Sequence, residues 1–286
     1  MIKLRILTPI LILAIVSLAC SISVPLPIQQ VGKTDIQTYN FNAPVIANQE
    51  EVSLSIIMGA GELNINSGTE QLIEGEIQYN IANLEPEFSS SNGEIVLSQN
   101  IDSIRSLPIG NPINKWDIRL GNQNPLRLSV SAGAYDGLLD LSGLPISHLE
   151  VSDGASNALV RFDEPNPQRM NLFTYRTGAS SVKLFGLANA NFEEMLFTGG
   201  AGSYEFNFDG KLSQDAQIKI ESGVSSLKIS IPQGTAARVK INGELMDVDT
   251  IGRWIVENDV YSTSEEGPTL NITVGTGVGS LELRHE

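Results

Sequence analysis

The segment IIMGAGELNI, Ile56–Ile65, changes the parity of its apolar positions at its glycines. Ile56 stands three residues before Gly59, whereas Leu63 and Ile65 stand four and six after it. Side chains alternate between the faces of a strand with a period of two, so a straight strand would bury Ile56 and expose Leu63. The chain must turn at Gly-Ala-Gly and reset its inward face by one residue.

The same pattern recurs at Gly133 in LSVSAGAYDGLLDL, Gly154 in LEVSDGASNALVRF, Gly178 in FTYRTGASSVKLF and Gly200 in MLFTGGAGSYEFNF. It appears again at Gly223 in IKIESGVSSLKISI and at Gly277 in ITVGTGVGSLEL. The positions five before, three before and six after these glycines are apolar in every copy, as at Phe173, Tyr175 and Leu184 around Gly178. Four after, Gly137 is the one break. With 41% of the chain hydrophobic, chance would leave more than half of these places polar. From Gly133 to Gly223 the spacings are 21, 24, 22 and 23 residues, the period of a solenoid coil with two strands per turn. Each unit reads as a strand, a corner at the glycine and a second strand. The corner is expected to use the positive φ that glycine tolerates. LSGLP, FDEPNP, FDGKLS and IPQGTA, rich in Gly, Pro and Asp, form a second set of turns.

Two insertions interrupt the repeat. Residues 66–125 contain strand-like LIEGEIQYNI, EIVLSQN and NKWDIRL; residues 234–270 contain ARVKING and RWIVENDVY. Only IDSIRSL and NANFEEML look helical, and both are short. The fold class is all-β, a single-chain β-solenoid with coils of about 22 residues.

The chain of 286 residues carries 18 Lys and Arg against 33 Asp and Glu, a net charge of −15 that would repel nucleic acid or an anionic surface. Lys3 and Arg5, then apolar Ile6 to Leu18, then Ala19 before Cys20 have the layout of a secretory signal over residues 1–19. Cys20 is the one cysteine, so no disulfide forms within the chain. VSLAC is similar to a bacterial lipobox, with Ser17 and Leu18 as a looser form. That resemblance implies that Cys20 is lipidated and ties the protein to the membrane from outside the cytoplasm. An uncleaved signal anchor from Ile6 to Val24 is the alternative. Residues 20–48, with Pro25, Pro27 and Pro44 and no period, read as a tether. About 25 such residues would reach roughly 30 Å as a flexible coil. Residues 49–125 then form an N-terminal β region and 126–286 the solenoid repeats.

GAGEL at Gly59–Leu63, EGEIQYN at Glu74–Asn80, WDIRL at Trp116–Leu120 and DLSGL at Asp140–Leu144 follow one another in order. In that order they resemble the toast-rack family of bacterial envelope proteins over roughly residues 50–286. The chain departs from it at Ala134-Tyr135 and Ala155-Ser156, where the repeats usually carry Ala-Gly. The family is similar in turn to LiaF-like proteins, which respond to cell-wall-active antibiotics, and to adhesin heads. The resemblance implies an envelope protein, with no chemistry attached to the fold itself.

Chemistry is sparse in the residues themselves. His148 and His285 lack partners at metal or triad spacing. Gly275, Gly277 and Gly279 lead into the strand SLELRHE rather than a helix, so they are corner glycines and not a phosphate loop. Asp163-Glu164, Glu193-Glu194, Asp247 with Asp249, and Glu265-Glu266 have no calcium-loop spacing. No catalytic, cofactor or metal residue is assigned. Trp116 and Trp254 lie in the insertions, where exposed aromatics would suit recognition, although WDIRL alternates as a core strand does. The expected function is an envelope-anchored scaffold or interaction protein, not an enzyme, with an envelope protein or polysaccharide as partner. A glycan-binding adhesin is one rival. A polysaccharide-processing β-helix is the other, and it would need an aligned catalytic set that Asn157, Lys183, Glu205 and Lys228 are not expected to form.

Overall fold

The computed structural model describes residues 33–81, 84–99, 112–243 and 245–286. The predicted signal, Cys20, the stretch IDSIRSL and the first part of the expected tether lie outside the described residues. Sixteen strands form one sheet. They are β1 (Lys33–Ala43), β2 (Val52–Ser67), β3 (Ile73–Ile81), β4 (Pro86–Ser91), β5 (Glu94–Gln99), β6 (Asn114–Leu120), β7 (Leu126–Asp140) and β8 (Ile146–Arg161). The rest are β9 (Met170–Phe185), β10 (Phe192–Asn207), β11 (Ala216–Ile231), β12 (Ala236–Asn242), β13 (Met246–Gly252), β14 (Ile255–Glu257), β15 (Val260–Ser262) and β16 (Thr269–His285). The described residues contain no α-helix, and no helix among them is long and apolar enough to cross a membrane. NANFEEML yields a single 3-10 turn at Leu187–Ala190 and then enters β10.

The spine of the molecule is the parallel series β2-β7-β8-β9-β10-β11-β16. Each of these strands runs unbroken through its glycine, so the two expected strands of a unit are two arms of one strand. Sixteen residues in a straight line would measure about 53 Å. Yet LSGLP carries the chain from the end of β7 back beside its start, where Leu126 pairs with Ile146. Five residues span at most about 20 Å, so the arms must fold together at the glycine.

Burial shows the reset. In β2 the buried residues are Val52, Leu54, Ile56 and Met58 on the first arm, then Leu63 and Ile65 on the second. Leu54, Val130, Val151, Phe173, Ile220, Leu139, Val160, Leu184, Phe206 and Ile229 all lie in one continuous core between the arms. Within β10, Phe197 of the first arm and Phe206 of the second meet edge to face at 4.9 Å between ring centroids.

The expected backbone conformation at the corners is corrected by the structure. Among the described residues none of Gly59, Gly133, Gly154, Gly178, Gly200, Gly223 and Gly277 has positive φ. Positive φ occurs instead in the return turns, as at Gly143 (67°), Gly210 (112°) and Gly234 (85°). Corner glycines are required by stacking. A Cβ at Gly133, Gly154, Gly200, Gly223 or Gly277 would stand 2.5–2.8 Å from the carbonyl oxygen of the glycine one coil back, and a Cβ at Gly178 closer still to that of Gly154. Bending turns each glycine carbonyl toward the next coil, where only a Cα–H fits. Gly137, the break in the apolar pattern, leaves room for the Tyr135 ring, which a Cβ there would meet at 2.6 Å.

The insertions complete the stack at both ends. β5 pairs with the first arm of β2 and β6 with the second, so together they make a split coil ahead of it. β3 and β1 extend that end antiparallel. β1 corrects the tether reading, because Lys33–Ala43 is hydrogen-bonded strand. β12 and β13 pair with the two arms of β16 and make another split coil, so β16, last in sequence, lies inside the stack.

Candidate functional site

Seven coils about 4.8 Å apart present two walls, each about 30 Å long, joined along the glycine ridge. Beneath the ridge the positions just before the glycines are apolar in β2 and β7 (Met58, Ala132) and polar in β8, β9, β11 and β16 (Asp153, Thr177, Ser222, Thr276). Asp153 accepts hydrogen bonds from Tyr175 Oη (3.0 Å), Ser180 Oγ (3.3 Å) and Thr177 Oγ1. Tyr135 and Tyr175 share a hydrogen bond of 3.3 Å. Burial pushes both phenols far above the ordinary tyrosine range, and the Asp153 charge adds to this. Two coils further, Ser222, Ser225 and Thr276 bond one another at 2.5–3.2 Å. All of these groups but half-buried Ser222 are closed off from solvent, so they hold the bend rather than meet a substrate.

Outward positions do align, contrary to expectation. Lys183 is in register with Glu205, Glu205 with Lys228 and Lys228 with Glu282, a column of alternating charge. Lys228 pairs with Glu205 at 2.8 Å. Asn157 belongs to a neighbouring column, opposite Ser181. Glu282 pairs instead with Arg284 on its own strand at 2.5 Å, and such exposed pairs contribute little individually. Arg176 with Glu150 (2.5 Å) and Arg127 with Glu51 (3.0 Å) do the same on the other wall.

Asp140 is more tightly held. Its carboxylate accepts bonds from the Ser142 hydroxyl (2.5 Å) and backbone N–H (3.2 Å) and from the Arg161 guanidinium (2.5 Å). Burial pushes this carboxyl up, but the bonds from Ser142 and Arg161 outweigh it and hold it below the usual range. A depressed carboxyl adds stability that is complete above its unfolded value, about 3.9, and is lost as pH falls through the lower folded value. The stability gap between wild type and Asp140→Asn is therefore expected to be widest near neutrality and to narrow below about pH 4. Urea unfolding at neutral and acid pH measures it, and a gap independent of pH would contradict the assignment.

The remaining sequence candidates are placed as follows. Trp116 is fully buried, its indole N–H donating to Asn114 Oδ1 at 2.9 Å. Asn114 also donates to the Ala60 carbonyl (2.8 Å), and Gln99 Oε1 accepts from the Gly59 N–H (3.3 Å). These two amides cap the first glycine corner, which has no complete coil before it. Trp254 packs on Tyr261 and on His285 at the far end. His285 faces the Arg253 carbonyl (3.2 Å) and Glu265 (3.4 Å). His148 has its pKa lowered by burial and by Arg127, with Glu51 opposing. Among the described residues no group of three or more His, Cys, Asp or Glu is placed to hold a metal. Asp163 lies 3.5 Å from Arg161, and Glu193 pairs with Arg169.

Two features escaped sequence reasoning. Val224 and Val278 are exposed neighbours on the ridge, with Leu245 exposed near them at the terminal coil. On the second-arm wall a groove of about 570 Å³ is lined by Leu159, Arg161, Phe185, Asn189, Asn207 and Asp209, among others. Phe185 directly follows buried Leu184, so strand alternation alone points it outward; that was the available signal.

The family description "N-terminal domain of toast_rack, DUF2154" matches residues 29–185, more than half of the chain. No curated protein matches the sequence. Among solved structures, a candidate cell adhesion protein from Clostridium sporogenes is 18% identical, with a TM-score of 0.50 over 88% of this chain and 100% of that one. A candidate adhesin from Bacteroides fragilis is 13% identical, with a TM-score of 0.37 over 89% and 99%. Another from Parabacteroides merdae is 11% identical, with a TM-score of 0.37 over 87% and 96%. The first of these shares the fold.

Proposed function

The chain belongs to the toast-rack family, and on that premise we propose that it is a non-enzymatic interaction protein held outside the cytoplasm by a lipid on Cys20. The observation that carries this reading is the distribution of polar groups. The densest cluster, around Asp153, is sealed beneath the ridge, while the walls are long, regular and mostly self-paired. A solenoid of this kind offers extended surfaces for binding. The LiaF-like resemblance adds envelope stress as the setting in which a partner is engaged. The second reading, a surface-binding adhesin, is favoured by the groove at Phe185 and agrees with the description of the Clostridium sporogenes protein.

Two acyl chains at about 0.8 kcal/mol per buried methylene would hold the protein on a membrane essentially permanently. Labelled palmitate is expected to enter the wild type and not Cys20→Ser, and the variant should appear in the soluble fraction or keep its uncleaved signal. A wild type that takes up no label and retains Met1 would favour the signal anchor instead. In that case the protein still faces outward, because Lys3 and Arg5 stay on the cytoplasmic side.

A further inference from the structure

We propose that the groove around Phe185 binds one ring of a neutral polysaccharide, an inference that rests on the reading of the walls as a binding surface outside the cytoplasm. Of all the aromatic residues in the chain, Phe185 alone is neither in the core nor packed against it. Tyr39, Phe88, Trp254 and Tyr261 are also partly exposed, but each packs on core residues. Phe185 has no such role. It stands at the outward end of β9 opposite Arg161, in a column that holds Asp140 on β7 and Asn207 at the same place on β10. Leu138 and Leu159, outward and in register on β7 and β8, continue an apolar strip toward it. An apolar strip with a polar rim on an otherwise charged wall marks a contact surface.

The rim decides what the surface contacts. Arg161 is held by Asp140 (2.5 Å) and, through its buried Nε, faces Asp163 (3.5 Å). Asn207 Oδ1 accepts from the Asp209 N–H (2.7 Å), which fixes the amide and leaves its NH₂ to donate outward. Gly186 (φ 69°) and Gly210 (φ 112°) line the groove without adding side chains to it. A flat apolar platform edged by a fixed amide, carboxylates and a guanidinium matches a pyranose. The C–H face of the sugar stacks on the aromatic, and each hydroxyl both donates and accepts. The volume of about 570 Å³ falls within the range of small-molecule sites. Asp163 and Asp209 outnumber Arg161, so phosphate, sulfate and uronate polymers are repelled.

The test uses the full chain in mild detergent on an array of neutral oligosaccharides that includes cellohexaose, maltohexaose and chitohexaose, with hexagalacturonate as the acidic probe. Wild type is expected to bind at least one neutral probe and not hexagalacturonate. Phe185→Ala should weaken that binding by about tenfold, and Phe185→Tyr should retain it. Phe185→Ala should also stay fully folded at the assay temperature by its unfolding curve, so that loss of binding is not loss of fold. Absence of neutral binding by the wild type, equal binding by Phe185→Ala, or preference for hexagalacturonate would each overturn the subsite. None of these results touches the anchored-interaction reading, which is decided separately by the Cys20 labelling experiment.

Discussion

Gly178→Val is expected to lower the free energy of unfolding by about 3 kcal/mol, at the upper end of what overpacking costs. Of the six corner glycines that stack on an earlier one, Gly178 is where an added Cβ would come nearest to the carbonyl oxygen behind it. The atom in the way is backbone, hydrogen-bonded on both sides of the corner through the β8–β9 register, so it cannot swing aside as a side chain could. Coil β9 would have to lift from β8. Gly200 in turn sits on the Gly178 carbonyl, so the disturbance spreads in both directions along the stack. Gly223→Ala, with 2.8 Å to the Gly200 oxygen, should cost less. Gly234→Ala separates the two reasons for glycine: its φ is 85° and nothing lies within 4 Å of the added Cβ, so it should cost about 1–2 kcal/mol from backbone conformation alone. Denaturant unfolding of the three variants gives the order. If Gly234→Ala proves the most damaging, stacking is not what selects the corner glycines.

That distinction shows where sequence reasoning stopped. The spacing of Gly133, Gly154, Gly178, Gly200 and Gly223 and the parity switch around each were enough to read the coils and the inward residues, since alternation is a local property. The reason for glycine is not local. It depends on which carbonyl of another coil lies over the Cα, and in isolation a corner glycine looks the same as a positive-φ turn glycine. The same blindness covers β16: its pairing with β11 across 54 residues, ahead of β12, depends on which coil closes the stack. β1 is hidden in the sequence because KTDIQTYNFNA follows a proline-bearing segment and only Tyr39, Phe41 and Ala43 hint at alternation. In the candidate site, Lys183, Glu205, Lys228 and Glu282 can each be read as outward, but their alignment in one column and the Lys228–Glu205 pair depend on the register. Phe185 is legible as outward, but a single half-buried aromatic is ordinary until every other ring has been accounted for.

The other large effect is expected at Phe197, where Phe197→Ala should cost about 4 kcal/mol. Its ring is 1% exposed and joins the two arms of its own coil to the coil before it. On its own strand it meets Tyr204 at 4.8 Å and Phe206 at 4.9 Å, both on the opposite arm, and one coil back it meets Tyr175 at 5.6 Å. Truncation would remove the transfer energy of the ring and leave a cavity whose walls are themselves aromatic. Those walls are tied in place by the parallel ladders on both sides of β10, so they can close in only partly. For a domain of this size each kcal/mol moves the melting temperature by about 2–4 °C, so a fall of about 8–16 °C is expected. Phe197→Leu keeps most of the volume and should recover more than half of the loss. Phe185→Ala is the matched control, the same substitution 12 residues earlier on the outer wall at a half-buried ring, and should lower the melting temperature far less. A small, equal shift for both alanine variants would mean that the two arms are not held together by this aromatic contact. A large shift at Phe185 would place that ring in the fold and remove the ground for assigning it to a ligand.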